Sequence, residues 1–280
     1  VYLEHGLMKD PYFRDQETEA LKMMEKEYEY ISVFAPDEEV LQKPYAVLRF
    51  EGLDTLADIW LNDVHLGYVD NMHRTWEYEV KSILKPQDNE LRILFHSPTR
   101  YIREKEAQEG FWPTSTEAMR GTSHIRKSQC MFGWDWGPRL PDAGIFRDVK
   151  LLGCEAERLD GVYVQQNHEP GRVELSVKIQ LKCMDSRFPL YFGKDKDLIG
   201  DRKVDARISI LNPQGELIHV VEAKLGENVP DIEVKKPQLW WPNGLGEQPL
   251  YTVKVELLRD GEVLDQFQKR IGLRTLTIRR

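Results

Sequence analysis

Ala57-Asp58-Ile59-Trp60-Leu61-Asn62-Asp63-Val64-His65-Leu66-Gly67-Tyr68-Val69 is the stretch that decides the fold. Two short apolar and aromatic runs, Ala57–Leu61 and His65–Val69, read as strands. Asn62-Asp63 between them suits a tight hairpin turn, since both residue types tolerate left-handed backbone. The same signal repeats outward. Tyr45–Phe50, Thr75–Val80 and Glu90–Phe95 are strand-like, and Lys85-Pro86-Gln87-Asp88-Asn89 marks a connection. Upstream, Thr18–Glu27 carries Leu21, Met24 and Tyr28 at helical spacing, followed by a strand over Tyr28–Phe34. Short strands at regular spacing point to an all-β sandwich.

A second strand series starts near Gly161. Val162–Gln166, Val173–Leu181, Ala206–Leu211, His219–Ala223, Ile232–Val234, Leu250–Leu258 and Val263–Arg270 carry strand patterning, and Asp260-Gly261 is a hairpin turn signal. Val173–Ile179 alternates with one apolar face. This series resembles an immunoglobulin-like sandwich. Gly193-Lys194-Asp195-Lys196-Asp197 through Asp201-Arg202-Lys203 reads as a solvated loop. Two β-sandwich domains are therefore expected, with the boundary in Gly153–Asp160.

The bulk properties exclude several classes. The chain has 280 residues, 41% of them hydrophobic and 10% aromatic, enough for two ordinary cores. Its 39 Lys and Arg against 47 Asp and Glu give a net charge of −8, which disfavours a nucleic-acid partner. No apolar run approaches the roughly 20 residues that span a bilayer, so no membrane partner is expected. Cys130, Cys154 and Cys183 form neither a disulfide framework nor a zinc site, which fits a reducing, cytoplasmic setting. The seven His are scattered without metal-ligand spacing, and no metal or cofactor is assigned.

The chemistry gathers at Phe132–Val149. Asp135 stands between Trp134 and Trp136, with Gly133 and Gly137 outside them and Pro138 following. Indole faces cover the C–H faces of a sugar while a carboxylate accepts from its hydroxyls. The competing reading makes both Trp core anchors at a loop crossing. The preceding Tyr101–Cys130 has little strand character and reads as a long loop that delivers the motif. Within it, Trp112 is expected to pack in the core. Arg147 and Asp148 are expected to pair with each other.

Gly133-Trp134-Asp135-Trp136-Gly137-Pro138 with Gly144-Ile145-Phe146-Arg147-Asp148-Val149 resembles the β-mannosidase branch of glycoside hydrolase family two. Phe50–Thr55, Ala57–Asn62, Leu66-Gly67 and Asp70-Asn71-Met72 fit that family's first domain, as does Arg126-Lys127. Leu239–Gly244, Gln248–Tyr251 and Ile271–Thr275 fit the end of its second domain and the lead-in to its barrel. The resemblance covers almost the whole chain. It implies a jelly-roll, galactose-binding-like domain at 1–156 whose start is missing. An immunoglobulin-like domain at 157–275 follows, with a linker at 276–280 leading to a catalytic barrel beyond the chain.

Retaining glycosidases use two carboxyl groups about 5 Å apart. The resemblance places both as Glu residues on the barrel. The one Asn-Glu here, Asn89-Glu90, sits in a strand-turn context and is rejected. The implied function is thus the non-catalytic N-terminal portion of a retaining exo-β-mannosidase. Asp135 would contact the terminal sugar, with Trp134 and Trp136 beside it, and Arg126 and Lys127 bonding Asp135 or the substrate. Trp240-Trp241 would anchor the second sandwich against the barrel. Partners would be a β-mannoside and the chain's own barrel. The same portion of a β-galactosidase, β-glucuronidase or exo-glucosaminidase is the alternative, and a free carbohydrate-binding or structural module is the alternative from another class.

Overall fold

The computed structural model describes residues 2–186, 189–193 and 200–278. Residues 194–199 of the expected solvated loop and Arg279-Arg280 lie outside them. The chain divides into two compact units, Val1–Gly153 and Cys154–Arg280.

The first unit opens with helix α1 (Gln16–Met24), strand β1 (Tyr28–Phe34) and a short helix α2 (Glu38–Gln42). Strands β2 (Tyr45–Phe50), β3 (Leu53–Asp54), β4 (Leu56–Leu61), β5 (Val64–Asp70), β6 (Trp76–Glu79) and β7 (Asn89–Phe95) follow. After helix α3 (Pro98–Glu109) come β8 (Gly144–Ile145) and β9 (Val149–Cys154). One sheet runs β1-β7-β4-β5, a second β6-β2-β9, and β3 pairs with β8. The β4–β5 turn is the expected hairpin: Asn62 and Asp63 both take positive φ, 50° and 66°, as a primed two-residue turn demands. Alternating residues of β2, β4 and β7, including Leu48, Phe50, Ile59, Leu61, Ile93 and Phe95, fill the core. Each fully buried large apolar side chain contributes about 1.5–3 kcal/mol.

Helix α3 corrects the reading of Tyr101–Cys130 as loop throughout. Ser97 caps it by accepting from the Arg100 N–H at 3.2 Å, Pro98 occupies its first turn, and Gly110 ends it. Most of its charged residues are exposed, so only a narrow stripe is apolar. Ile102 from that stripe joins Leu56, Ile125 and Phe132 in a separate small core. Arg147 and Asp148 do not pair as expected. The Arg147 guanidinium lies 5.3 Å from the Phe146 ring, and Asp148 meets Lys150 at 3.2 Å.

On the first unit's outer face, the Asp58 carboxylate holds two imidazoles, His65 Nε2 at 2.6 Å and His96 Nε2 at 2.9 Å. His96 Nδ1 also reaches Glu27 at 3.1 Å, and Arg100 stands 3.6 Å from Glu27. Burial draws His96 down, but its bonds to Asp58 and Glu27 outweigh burial and hold its pKa above the ordinary 6.5. Burial raises Asp58, yet the two imidazoles leave it below its ordinary 3.8. A raised His stabilises below its unfolded pKa and loses that as pH climbs through its folded pKa. A lowered Asp does the reverse on the acid side. The cluster therefore stabilises most between about pH 4 and 6.5. We expect His96→Asn to lower the melting temperature more at pH 5.5 than at pH 9, the cluster contributing about 1 kcal/mol or less. Equal losses at both pH values, followed by circular dichroism, would remove the charged imidazole from the account.

The second unit holds β10 (Glu157–Glu169), β11 (Arg172–Cys183), β12 (Leu190–Tyr191), β13 (Asp205–Leu211), β14 (Leu217–Lys224), β15 (Ile232–Lys235), β16 (Tyr251–Arg259) and β17 (Glu262–Ile271). β10, β12 and β15 all pair with β11 in one sheet, and the other runs β14-β13-β16-β17. β11 alternates with Val173, Leu175, Val177, Ile179 and Leu181 inward, against Ile208, Ile210, Val253, Val255 and Leu257. Asp260 and Gly261 take φ 50° and 85° in the β16–β17 turn. Both units are thus sandwiches built by period-two patterning.

Candidate sugar-contact site

The motif folds as a small hairpin. Phe132 and Arg139 form an antiparallel bridge, and the Leu140 N–H donates to the Met131 carbonyl at 2.8 Å. Nearer the tip, the Trp134 N–H donates to the Gly137 carbonyl at 3.1 Å, and the Gly137 N–H donates back at 3.4 Å. Asp135 and Trp136 alone form the apex. Gly133 takes φ 97°, and a Cβ there would sit 2.5 Å from Arg139 Cγ, so the hairpin needs glycine for both conformation and space.

The base of the hairpin is fixed from below. Phe132 is fully buried against Leu56, Ile102 and Ile125. Its carbonyl accepts from the Met119 N–H at 3.0 Å, and Arg139 Nε meets Glu17 at 2.5 Å. The tip is open. Trp134 is 46% and Trp136 81% exposed, their rings 5.2 Å apart and tilted by 52°. Asp135 is exposed too, and no hydrogen bond or ion pair from a described residue engages its carboxylate. Beside the indoles lies an open cavity of about 380 Å³, lined also by Thr114, Ser115, Gln129 and Cys130. Two apolar planes, a hydroxyl-bearing wall and a carboxylate able to accept are what a pyranose edge requires.

The sequence-derived pair Arg126-Lys127 is split. Arg126 is exposed and stands 4.0 Å from Asp70. Lys127 does not reach Asp135: its side chain is fully buried, donating to the Asp54 carboxylate and, at 2.7 Å, to the Asp142 carbonyl. Burial draws its amine below the usual lysine range, opposed by Asp54. Trp112, expected in the core, is 52% exposed and lies 5.0 Å from the His124 ring. Trp240 carries the Arg274 guanidinium 4.4 Å from its ring, and Trp241 is 48% exposed. Among the described residues no group of three or more His, Cys, Asp or Glu is arranged to hold a metal ion, and no helix is long and apolar enough to cross a membrane.

Residues 1–147 match the family described as glycosyl hydrolase 2 galactose-binding domain-like, and residues 158–274 match glycosyl hydrolases family 2. The chain belongs to glycosyl hydrolase family 2. Beta-mannosidase B of Thermothelomyces thermophilus is 31% identical over 281 residues, covering 96% of this chain and 30% of that protein. The crystal structure of a beta-D-mannosidase from Dictyoglomus thermophilum superposes with a TM-score of 0.79 at 30% identity, over 97% of this chain and 32% of that one. An exo-chitosanase from Amycolatopsis orientalis shares the fold at 18% identity, with a TM-score of 0.66 over 97% of this chain and 28% of that one. This family-2 chain thus spans about 30% of the length of the curated relatives it matches.

Proposed function

We propose that this family-2 chain is the non-catalytic N-terminal portion of a retaining exo-β-mannosidase that removes terminal β-D-mannose residues. The hairpin apex supplies Trp134, Asp135 and Trp136 to a substrate pocket whose two catalytic carboxyl groups lie on a following barrel. The observation that carries this reading is the exposed, unengaged Asp135 carboxylate on a hydrogen-bonded hairpin apex between two exposed indoles. An acid serving only the turn would spend its oxygens on neighbouring N–H groups. Likeness to beta-mannosidases over 96–97% of the chain supports the choice of sugar. Carboxylate–hydroxyl bonds are charge-assisted, and those that tighten on a distorted sugar raise kcat as well as affinity.

The test is Asp135→Asn in the parent enzyme, which keeps the shape and removes the charge. Each lost charge-assisted bond costs about 1.5–3 kcal/mol, so kcat/KM on an aryl β-mannoside should fall by about one to two powers of ten. A parallel fall in kcat would place the bonds in the transition state. Wild-type kcat/KM in folded variant protein would reduce Asp135 to a turn residue. Aryl β-galactoside and β-glucuronide run alongside check the sugar.

A further inference from the structure

We propose that Lys127 is the positioning residue of the sugar-contact apex, fastening both ends of the 128–141 excursion to strand β3. The functional consequence rests on the proposed role of Asp135, while the clamp itself does not. Lys127 immediately precedes the excursion, and Asp142 immediately follows it. The Lys127 ammonium donates to the Asp142 carbonyl at 2.7 Å, so one side chain closes the loop across its two ends. The same ammonium donates to the Asp54 carboxylate, and the Asp142 carboxylate stands 3.9 Å away. Asp54 is itself paired in register with Gly144, just past the excursion. Three separate segments thus meet at one nitrogen.

Lysine is almost never fully buried unless paired, and this side chain has no exposed surface. An ammonium carries three donors and no acceptor, which matches a carboxylate plus a carbonyl better than any neutral side chain would. The Arg126 carbonyl accepts from the Met72 N–H at 3.1 Å, so the backbone just before Lys127 is held independently. The buried Phe132 and the Arg139–Glu17 pair hold the hairpin within the excursion, and the Lys127 clamp adds a tie across the excursion's two ends. The apex's own bonds, Trp134 to Gly137, fix the shape of the tip but not where the tip stands. A misplacement of about 1 Å in a contact residue is enough to cost a hundredfold in rate.

Hydrogen exchange on this 280-residue chain decides it. Two variants are compared, Lys127→Met and the double variant Lys127→Met with Asp54→Asn. The single variant leaves Asp54 buried without its cation and destabilises for that reason alone. The double variant removes both charges and keeps their volumes, which removes that penalty. In the double variant we expect the amides of Phe132, Gly137 and Leu140 to exchange at least tenfold faster than in wild type. The amides of β4 and β7 should keep their wild-type rates. Wild-type protection at the three loop amides overturns the proposal. So does an acceleration shared equally by β4 and β7, which would make Lys127 a general stabiliser of the first unit. No sugar enters the measurement, so the clamp and the sugar contact of Asp135 stand or fall separately.

Discussion

Replacing Phe132 by alanine should destabilise the first unit by about 3–5 kcal/mol, the range for deleting a buried aromatic ring. Phe132 has no exposed surface, and its ring joins Leu56 of β4, Ile102 of α3 and Ile125 into a core separate from the main sandwich. That small core cannot refill the space, because its members come from three elements anchored elsewhere. Guanidinium unfolding should show the first unit's midpoint falling while the second unit's stays in place. Phe132→Leu, closer in volume, should cost roughly 1 kcal/mol. A loss below about 1 kcal/mol for alanine would mean that α3 and the hairpin collapse onto the gap.

Assayed alone, the chain should give no turnover of an aryl β-mannoside above a buffer blank. Retaining chemistry needs a nucleophilic carboxylate and an acid about 5 Å apart, facing one another across the glycosidic bond. The cavity beside the apex is lined by Thr114, Ser115, Ala118, Gln129, Cys130, the two indoles and glycines, without an acid. Asp135 therefore has no carboxyl partner there. Binding groups without the chemical pair hold a sugar and leave its bond intact. Turnover that survives further purification and disappears in Asp135→Asn would relocate the chemistry to this chain.

The sandwiches were legible because their signals are local. Asn62-Asp63 and Asp260-Gly261 announce hairpins in two residues each, and β11 alternates without a break across its buried face. The Trp134, Asp135 and Trp136 trio stood out for the same reason, since the three are contiguous. Helix α3 was not legible, because only Pro98, Thr99 and Ile102 are buried and its other residues look like a polar loop. Ser97-Pro98 was the available sign, a capping residue followed by the one proline position a helix welcomes. Lys127 was misplaced for a deeper reason. Nothing in Arg126-Lys127 distinguishes a solvated base from a buried one. The difference is made by Asp54, 73 residues away in sequence, which no local pattern connects to it.

A two-residue apex has no slack. With Trp134 and Gly137 bonded to each other in both directions, the backbone freedom of Asp135 and Trp136 is surrendered when the chain folds. That freedom is worth about 1–2 kcal/mol per residue, and the part already given up on folding would not be lost again on binding. The proposed sugar contact at this edge should therefore need no slow ordering step. The same stiffness makes the spacing unforgiving. One residue inserted between Trp134 and Gly137 adds about 3.3 Å of chain, more than the length of the hydrogen bond proposed for the carboxylate.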